Sequence, residues 1–331
     1  MTQSLDRIAI VGAGLSGLAC ARRLCRAGGK VQLFDKARGP GGRMSTRRVE
    51  TPLGTVGFDH GAQFFTARGD SFRAEVARWV SEGLAATWPA AGPEAWVGLP
   101  GMNAPVKALA EGHSVAWNTV VEALIRDAEG WRLKTPEGLS GPFDAVVLAL
   151  PAEQAAALLA PHDEALTARA AASRTAPCWT VMAAFAERLP VASDTLEEDG
   201  ILGWAARNSA KPGRGGPEAW VLQASPDWSR EHLEDPADTV GDALFAAFAT
   251  RLSAPLPEPV IRQVHRWRYA RSATGSEQAL WSETARLGCC GDWLSGPRVE
   301  CAWDSGEALA RLIINARGND RSAGPGLGSS Q

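Results

Sequence analysis

The first residues able to do chemistry are Gly12, Ala13, Gly14, Leu15, Ser16 and Gly17, a G-x-G-x-x-G run. Glycines at this spacing let backbone approach a pyrophosphate at the positive end of a following helix. Asp35 stands 18 residues beyond Gly17, followed by Lys36, where a carboxylate accepts hydrogen bonds from an adenosine ribose. Gly41, Gly42 and Arg43 come next. Two glycines bring a loop close to a bound dinucleotide, and the guanidinium forms charge-assisted bonds to its phosphates. A plain NAD-binding domain has no use for this second loop. The residues alone also admit a solvated basic turn.

A second set lies in Arg262 to Ala270, where alternation puts His265, Trp267 and Tyr269 on one face and Arg266 and Arg268 on the other. An aromatic row suits a planar ring, and a neighbouring Arg attracts a carboxamide or phosphate, so Trp267, Arg268 and Tyr269 are candidate substrate residues. The competing account packs Trp267 in the core and leaves both Arg in water. The six cysteines form no C-x-x-C pair and no His cluster stands near them, so no metal site is expected.

The elements that must position these groups are legible at both ends of the chain. Arg7 to Val11, a helix with Leu15, Leu18, Ala19 and Leu24 on one side, and Lys30 to Phe34 make a β-α-β unit. Residues 115–147 read as a β-meander returning to the sheet, and 163–264 as a substrate-facing domain with Pro- and Gly-rich loops. A strand ending in Cys289 and Cys290 and a helix near Glu300 close the fold. The chain of 331 residues exceeds the usual single core, and 45% hydrophobic with 21% charged residues describes a folded protein. Its 34 Lys+Arg against 37 Asp+Glu give no basic excess to neutralise nucleic acid. No signal peptide and no run of ~18 apolar residues is found, so a cytoplasmic chain with reduced thiols and no membrane partner is expected.

The strings GAGLSGLACA, FDKARGPGGRMSTRR, FDHGAQFFTAR and GDWLSGPRVECAWDSGEALA resemble the amine-oxidase superfamily of FAD flavoproteins, and within it the bacterial renalases. The resemblance covers the first 70 residues, the HRWRYA strand and the last 45 or so of the folded part. It implies an α/β fold: a Rossmann-type FAD-binding domain with an inserted mixed-sheet substrate domain, as in amine oxidases. The expected division is 1–75, 107–160 and 275–317 for FAD, 76–106 and 161–274 for substrate, and a flexible tail at 318–331.

By the same resemblance His60, Gly61, Ala62, Gln63 and Phe64 run beside a non-covalently bound flavin, with Gln63 near its reactive face. His60 and Gln63 serve equally well as satisfied core groups. Val121, in a strand over 119–124, offers backbone to adenine, while Gly291 and Asp292 reach the ribityl chain. The helix opening with Val299, Glu300, Cys301 and Ala302 points its N-terminus at the pyrimidine edge, with Trp303 beside it. Cys289 and Cys290 are read as packing, not as flavin thioethers. The implied activity is oxidation of 2- or 6-dihydro-NAD(P) isomers to NAD(P)+, with dioxygen reduced to hydrogen peroxide. Amine oxidases of this superfamily use a Lys at the flavin and several use a Tyr pair; this chain has one Tyr, and its Lys211 falls in a Gly/Pro loop. The alternatives are a flavin amine oxidase or desaturase, a non-catalytic flavin-binding sensor or interaction protein, and an NAD dehydrogenase.

Overall fold

The computed structural model describes residues 6–322. β1 (Arg7–Val11), α1 (Leu15–Arg26) and β2 (Lys30–Phe34) form the expected unit, the two strands pairing in parallel from Arg7↔Lys30 to Val11↔Phe34. A hairpin of β3 (Thr46–Thr51) and β4 (Gly54–Asp59) leads to α2 (Asp70–Ser81), β5 (Ala85–Thr87), β6 (Trp96–Gly98) and α3 (Ala104–Ala110). β7 (Ser114–Ala116) then joins the parallel sheet beside β2. The meander is a separate three-stranded sheet of β8 (Ala123–Asp127), β9 (Gly130–Thr135) and β10 (Gly138–Phe143). From it β11 (Ala145–Leu148) re-enters on the other side of β1.

Helices α4 (Ala152–Leu159) and α5 (Glu164–Ala172) lead into the second half: β12 (Thr175–Phe185), β13 (Thr195–Asp199), β14 (Leu202–Arg207), β15 (Glu218–Ala224), α6 (Pro226–Glu231), α7 (Ala237–Ala249) and β16 (Ile261–Ser272). Its five strands order β13-β14-β15-β12-β16, all antiparallel. The chain returns through β17 (Leu280–Ser282) and β18 (Leu287–Cys289), completing a six-stranded sheet ordered β17-β18-β11-β1-β2-β7, and ends in α8 (Val299–Ser322).

The unbroken apolar run of β1 follows from cover on both faces: Ile8 and Ile10 join the core under α1 and α8, Ala9 and Val11 the core against β9, β11 and α4. In β12 the two faces also separate. Val181, Ala183 and Phe185 pack with Val240, Leu244 and Phe248 of α7, whereas Met182 and Ala184 meet Val49, Val56 and Phe58 of the β3–β4 hairpin. The hairpin thus seats the inner face of the second sheet against the dinucleotide-binding half.

Several boundaries differ from expectation. The divisions at 75/76 and 106/107 fall inside α2 and α3, whose Phe72, Val76, Trp79, Val106 and Leu109 share the core under α1. The division at 160/161 comes before α5, which packs with α4 in the sheet's other core. β8 opens at Ala123, so Val121 lies in the extended link ahead of it. α8 continues through Ser322, past the start of the expected tail, and the rest of that tail lies outside the described residues.

Candidate active site

The glycine turn is built as its spacing requires. A Cβ on Gly17 would lie 2.0 Å from the Gly12 carbonyl oxygen, and one on Gly12 would lie 2.3 Å from that of Ala149, so neither position admits a side chain. A Cβ on Gly14 would meet nothing within 4 Å. α1 opens on this free space with no acidic residue in its first turn and no side-chain cap, and the buried Ser16 hydroxyl has no hydrogen-bond partner. Backbone donors and a positive helix end therefore face the open space over Gly14, with the buried, unpartnered Ser16 hydroxyl in the same first turn.

Asp35 follows β2 directly, but its carboxylate is engaged: it accepts from the Ala13 N–H at 2.7 Å and the Ala37 N–H at 2.7 Å. It braces the glycine turn, where ribose contact was expected. The link from β7 passes beside it, Thr119 donating to the Asp35 carbonyl, which brings Val121 toward the same end of the sheet. Lys36 follows Asp35 directly.

Arg43 and Asp292, expected at phosphate and ribityl chain, hold each other. Two guanidinium nitrogens reach the carboxylate at 2.8 and 2.5 Å, and one also donates to the Ala270 carbonyl at the end of β16. Bidentate pairing of this kind fixes both groups geometrically. Gly61 is wedged under the same loop: its Cβ would stand 2.1 Å from the Arg43 carbonyl oxygen, which accepts the Ala62 N–H at 2.8 Å.

The segment from His60 to Phe64 is clamped between the two halves. Trp267 donates through Nε1 to the His60 carbonyl at 2.8 Å, and Gln223 donates to the Gly61 carbonyl at 2.8 Å. Phe64 lies against Trp204, centroids 5.8 Å apart. The His60 ring meets His265 at 5.0 Å and Trp267 at 5.1 Å, and His265 meets Trp267 at 4.5 Å. Arg47 contacts His265 Nδ1 at 3.2 Å. Burial lowers both imidazoles, with Arg47 adding to each and the rings opposing one another at His60, so both sit at about 4 and are neutral at pH 7.

Gln63 faces away from this wall. Its amide donates to the Asp59 and Gly61 carbonyls at 2.5 and 3.0 Å and accepts from Lys211 Nζ at 3.1 Å. Lys211 is fully buried, 3.3 Å from Asp59, which Arg214 also contacts at 2.5 Å. Burial would raise the Asp59 carboxyl, but the Lys211 and Arg214 charges outweigh it and hold it at about 2; burial draws Lys211 down to about 8 against the pull of Asp59. Both ends of the pair are charged at pH 7. Gln63 is thus a brace behind the segment, and Lys211, dismissed in sequence as a loop residue, is the centre of the cluster that fixes it. Its partner lies 152 residues away, a separation that no local motif reveals.

Two further candidates are displaced. Arg268 lies exposed on the outer face of β16, paired twice with Glu234 at 2.6 and 2.9 Å. Trp303 is 1% exposed in the aromatic core with Phe72 and Trp79, beneath the Arg22 guanidinium. Tyr269 stays half-buried on the Trp267 face. At the start of α8, Val299 and Ala302 are half-buried and Cys301 buried, and the Gly291 N–H donates to Ser305 at 2.8 Å. Glu300 does not offer a clean positive helix end: one oxygen accepts the Arg68 and Gly69 N–H groups at 2.8 and 2.6 Å, and the other lies 3.5 Å from Arg298. Cys289 and Cys290 are wholly buried in the two cores flanking the sheet, as packing requires.

The pattern of an NAD(P)-binding Rossmann-like domain matches residues 10–79, and that of flavin-containing amine oxidoreductases matches residues 89–314. The chain belongs to the flavin-containing amine oxidoreductase family. As in that family, the protein is an oxidoreductase and its cofactor is FAD. The open space over Gly14 and the unpartnered Ser16 hydroxyl fit a pyrophosphate, and the 60–64 segment with its aromatic neighbours fits a ring, while Arg43 is taken up by Asp292. Local relatives include a zeta-carotene-forming phytoene desaturase of Myxococcus xanthus, 52% identical over 44 residues, 13% of this chain and 8% of that protein. FLOWERING LOCUS D of Arabidopsis thaliana is 43% identical over 63 residues, 19% and 8% of the two chains. Similarity in fold is far wider. A structure from Exiguobacterium, provisionally assigned as a protoporphyrinogen oxidase, superposes with TM-score 0.75 at 14% identity, covering 95% of this chain and 99% of that one. Cyclohexylamine oxidase from Brevibacterium oxydans gives 0.69 at 12%, covering 95% and 99%.

Proposed function

We propose that this flavoenzyme oxidises dihydronicotinamide nucleotides, the 2- or 6-dihydro isomers of NAD(P), to NAD(P)+ with dioxygen as acceptor. The observation that carries this reading is the aromatic cluster of His60, His265 and Trp267 at the 60–64 segment: Trp267 is tilted 31° from His60, His265 stands edge-on to both at 77° and 78°, and the imidazoles are held neutral. A dihydropyridine packs against such rings edge-on or offset, and removal of its hydride needs no general base. The one buried lysine near the segment is bound to Asp59 and Gln63 behind it, consistent with chemistry that asks nothing of an amine. Bound FAD would supply the hydride acceptor, and the overall reaction would take dihydro-NAD, a proton and dioxygen to NAD+ and hydrogen peroxide. The α1 N-terminus, and Arg43 once released from Asp292, would hold the FAD phosphates, while Trp267 and Gln223 fix the His60 and Gly61 carbonyls.

Anaerobic stopped-flow absorbance tests the reading. Rapid bleaching of the flavin band by 6-dihydro-NAD, with slow bleaching by ordinary NADH, putrescine or cyclohexylamine, is expected. Bleaching by an amine alone would transfer the assignment to the amine oxidases that share the fold.

A further inference from the structure

Most arginines that reach the junction between the two halves have a carboxylate: Arg43 has Asp292, Arg214 has Asp59, and Arg207 has Glu218 and Asp194. Arg47 differs. It is half-buried on β3, on the face that carries Val49 toward the second sheet, and its hydrogen bond among the described residues goes to a neutral ring, His265 Nδ1 at 3.2 Å. That contact requires Nδ1 to accept, which fixes the His265 tautomer with its proton on Nε2. Next to it His60, 5% exposed, carries a buried Nδ1 without a well-formed hydrogen bond, the Phe58 backbone being the polar group that acts on the ring. A half-buried guanidinium with no carboxylate partner among the described residues, beside a buried ring nitrogen without a well-formed hydrogen bond, is an incomplete constellation. An oxyanion completes it by pairing with the guanidinium's remaining donors, and a hydroxyl or water carried with it satisfies His60.

We propose that Arg47, oriented by His265, anchors the phosphate of the substrate and so selects phosphorylated over unphosphorylated substrates. The proposal rests on the dihydronicotinamide reading for the identity of the ring, while the anion preference rests on Arg47 alone. His265 is a positioning residue: it holds the guanidinium at the end of the aromatic row, one alternate position from Trp267.

The experiment compares wild-type holoenzyme with Arg47→Gln and Arg47→Lys on 6-dihydronicotinamide riboside and its mononucleotide, following anaerobic flavin reduction. Wild type should favour the mononucleotide by about tenfold or more in apparent Kd, Arg47→Gln should remove the preference while retaining FAD, and Arg47→Lys should keep part of it, since an ammonium pairs with phosphate as a point charge. Equal loss on both compounds, or loss of FAD itself, overturns the proposal. A second measurement is independent of turnover: perturbation of the flavin spectrum by inorganic pyrophosphate, expected to weaken about tenfold in Arg47→Gln. If no dihydronicotinamide bleaches the flavin yet pyrophosphate binding depends on Arg47, the proposed reaction falls and the anion site stands. Pyrophosphate binding that is indifferent to Arg47 refutes the anion site whatever the substrate.

Discussion

Asp59 shows how much a single buried carboxylate is asked to hold. It accepts from Thr46 at 2.7 Å and from the Met102 N–H at 3.0 Å, and it faces Lys211 and Arg214 at once. Asp59→Asn would leave two buried cations with no counter-charge, so a loss of ~3–5 kcal/mol in denaturant unfolding is expected. An unchanged midpoint would mean that water already screens the cluster. Arg43 belongs to the same scale. Its two bonds to Asp292 occupy the guanidinium, so under the proposed reading the pair opens or shares when a phosphate arrives.

At the scale of elements, β16 carries two unlike faces. Its inner row ties the second sheet to the 60–64 segment through Trp267, whereas its outer row is occupied by Arg266 and Arg268 on Glu234. Trp267→Phe should slow flavin reduction about five- to tenfold by releasing the His60 carbonyl, since about 1–1.5 kcal/mol of positioning is lost. Arg268→Ala should leave reduction within about twofold, because an exposed ion pair contributes ~0–1 kcal/mol. Stopped-flow reduction with FAD content measured in parallel separates the two. If Arg268→Ala were the slower variant, the outer face of β16 would be the functional one.

For the whole molecule, the seam between the halves is sensitive to acid. His60 belongs to the dinucleotide-binding half and His265 to the second sheet, and both are held at about 4 against an ordinary 6.5. The unfolded chain takes up protons below pH 6.5 that the folded protein refuses until about 4, so the stability is complete above 6.5 and declines as pH falls through that window. Melting temperature should therefore be level above about pH 6.5 and fall toward pH 4, with a shallower fall in His265→Gln, by scanning calorimetry. Equal slopes in the two proteins would remove this pair as the cause. Among the described residues no helix is long and apolar enough to cross a membrane.

What the sequence determined by itself is local. Gly12, Gly14 and Gly17 lie within one turn, RIAIV and KVQLF carry the period of covered strands, and alternation placed Trp267 and Arg268 on opposite faces before any contact was known. Which of those faces meets the site was not legible, because alternation specifies sides and not what each side packs against. Only the tertiary structure turned the Trp267 row toward the 60–64 segment, withdrew Trp303 into the core and brought Lys211 to Asp59 and Arg47 to His265. These pairs are 152 and 218 residues apart. Their chemistry arises from burial and from neighbours supplied by a different domain half, and a residue's type and spacing contain neither.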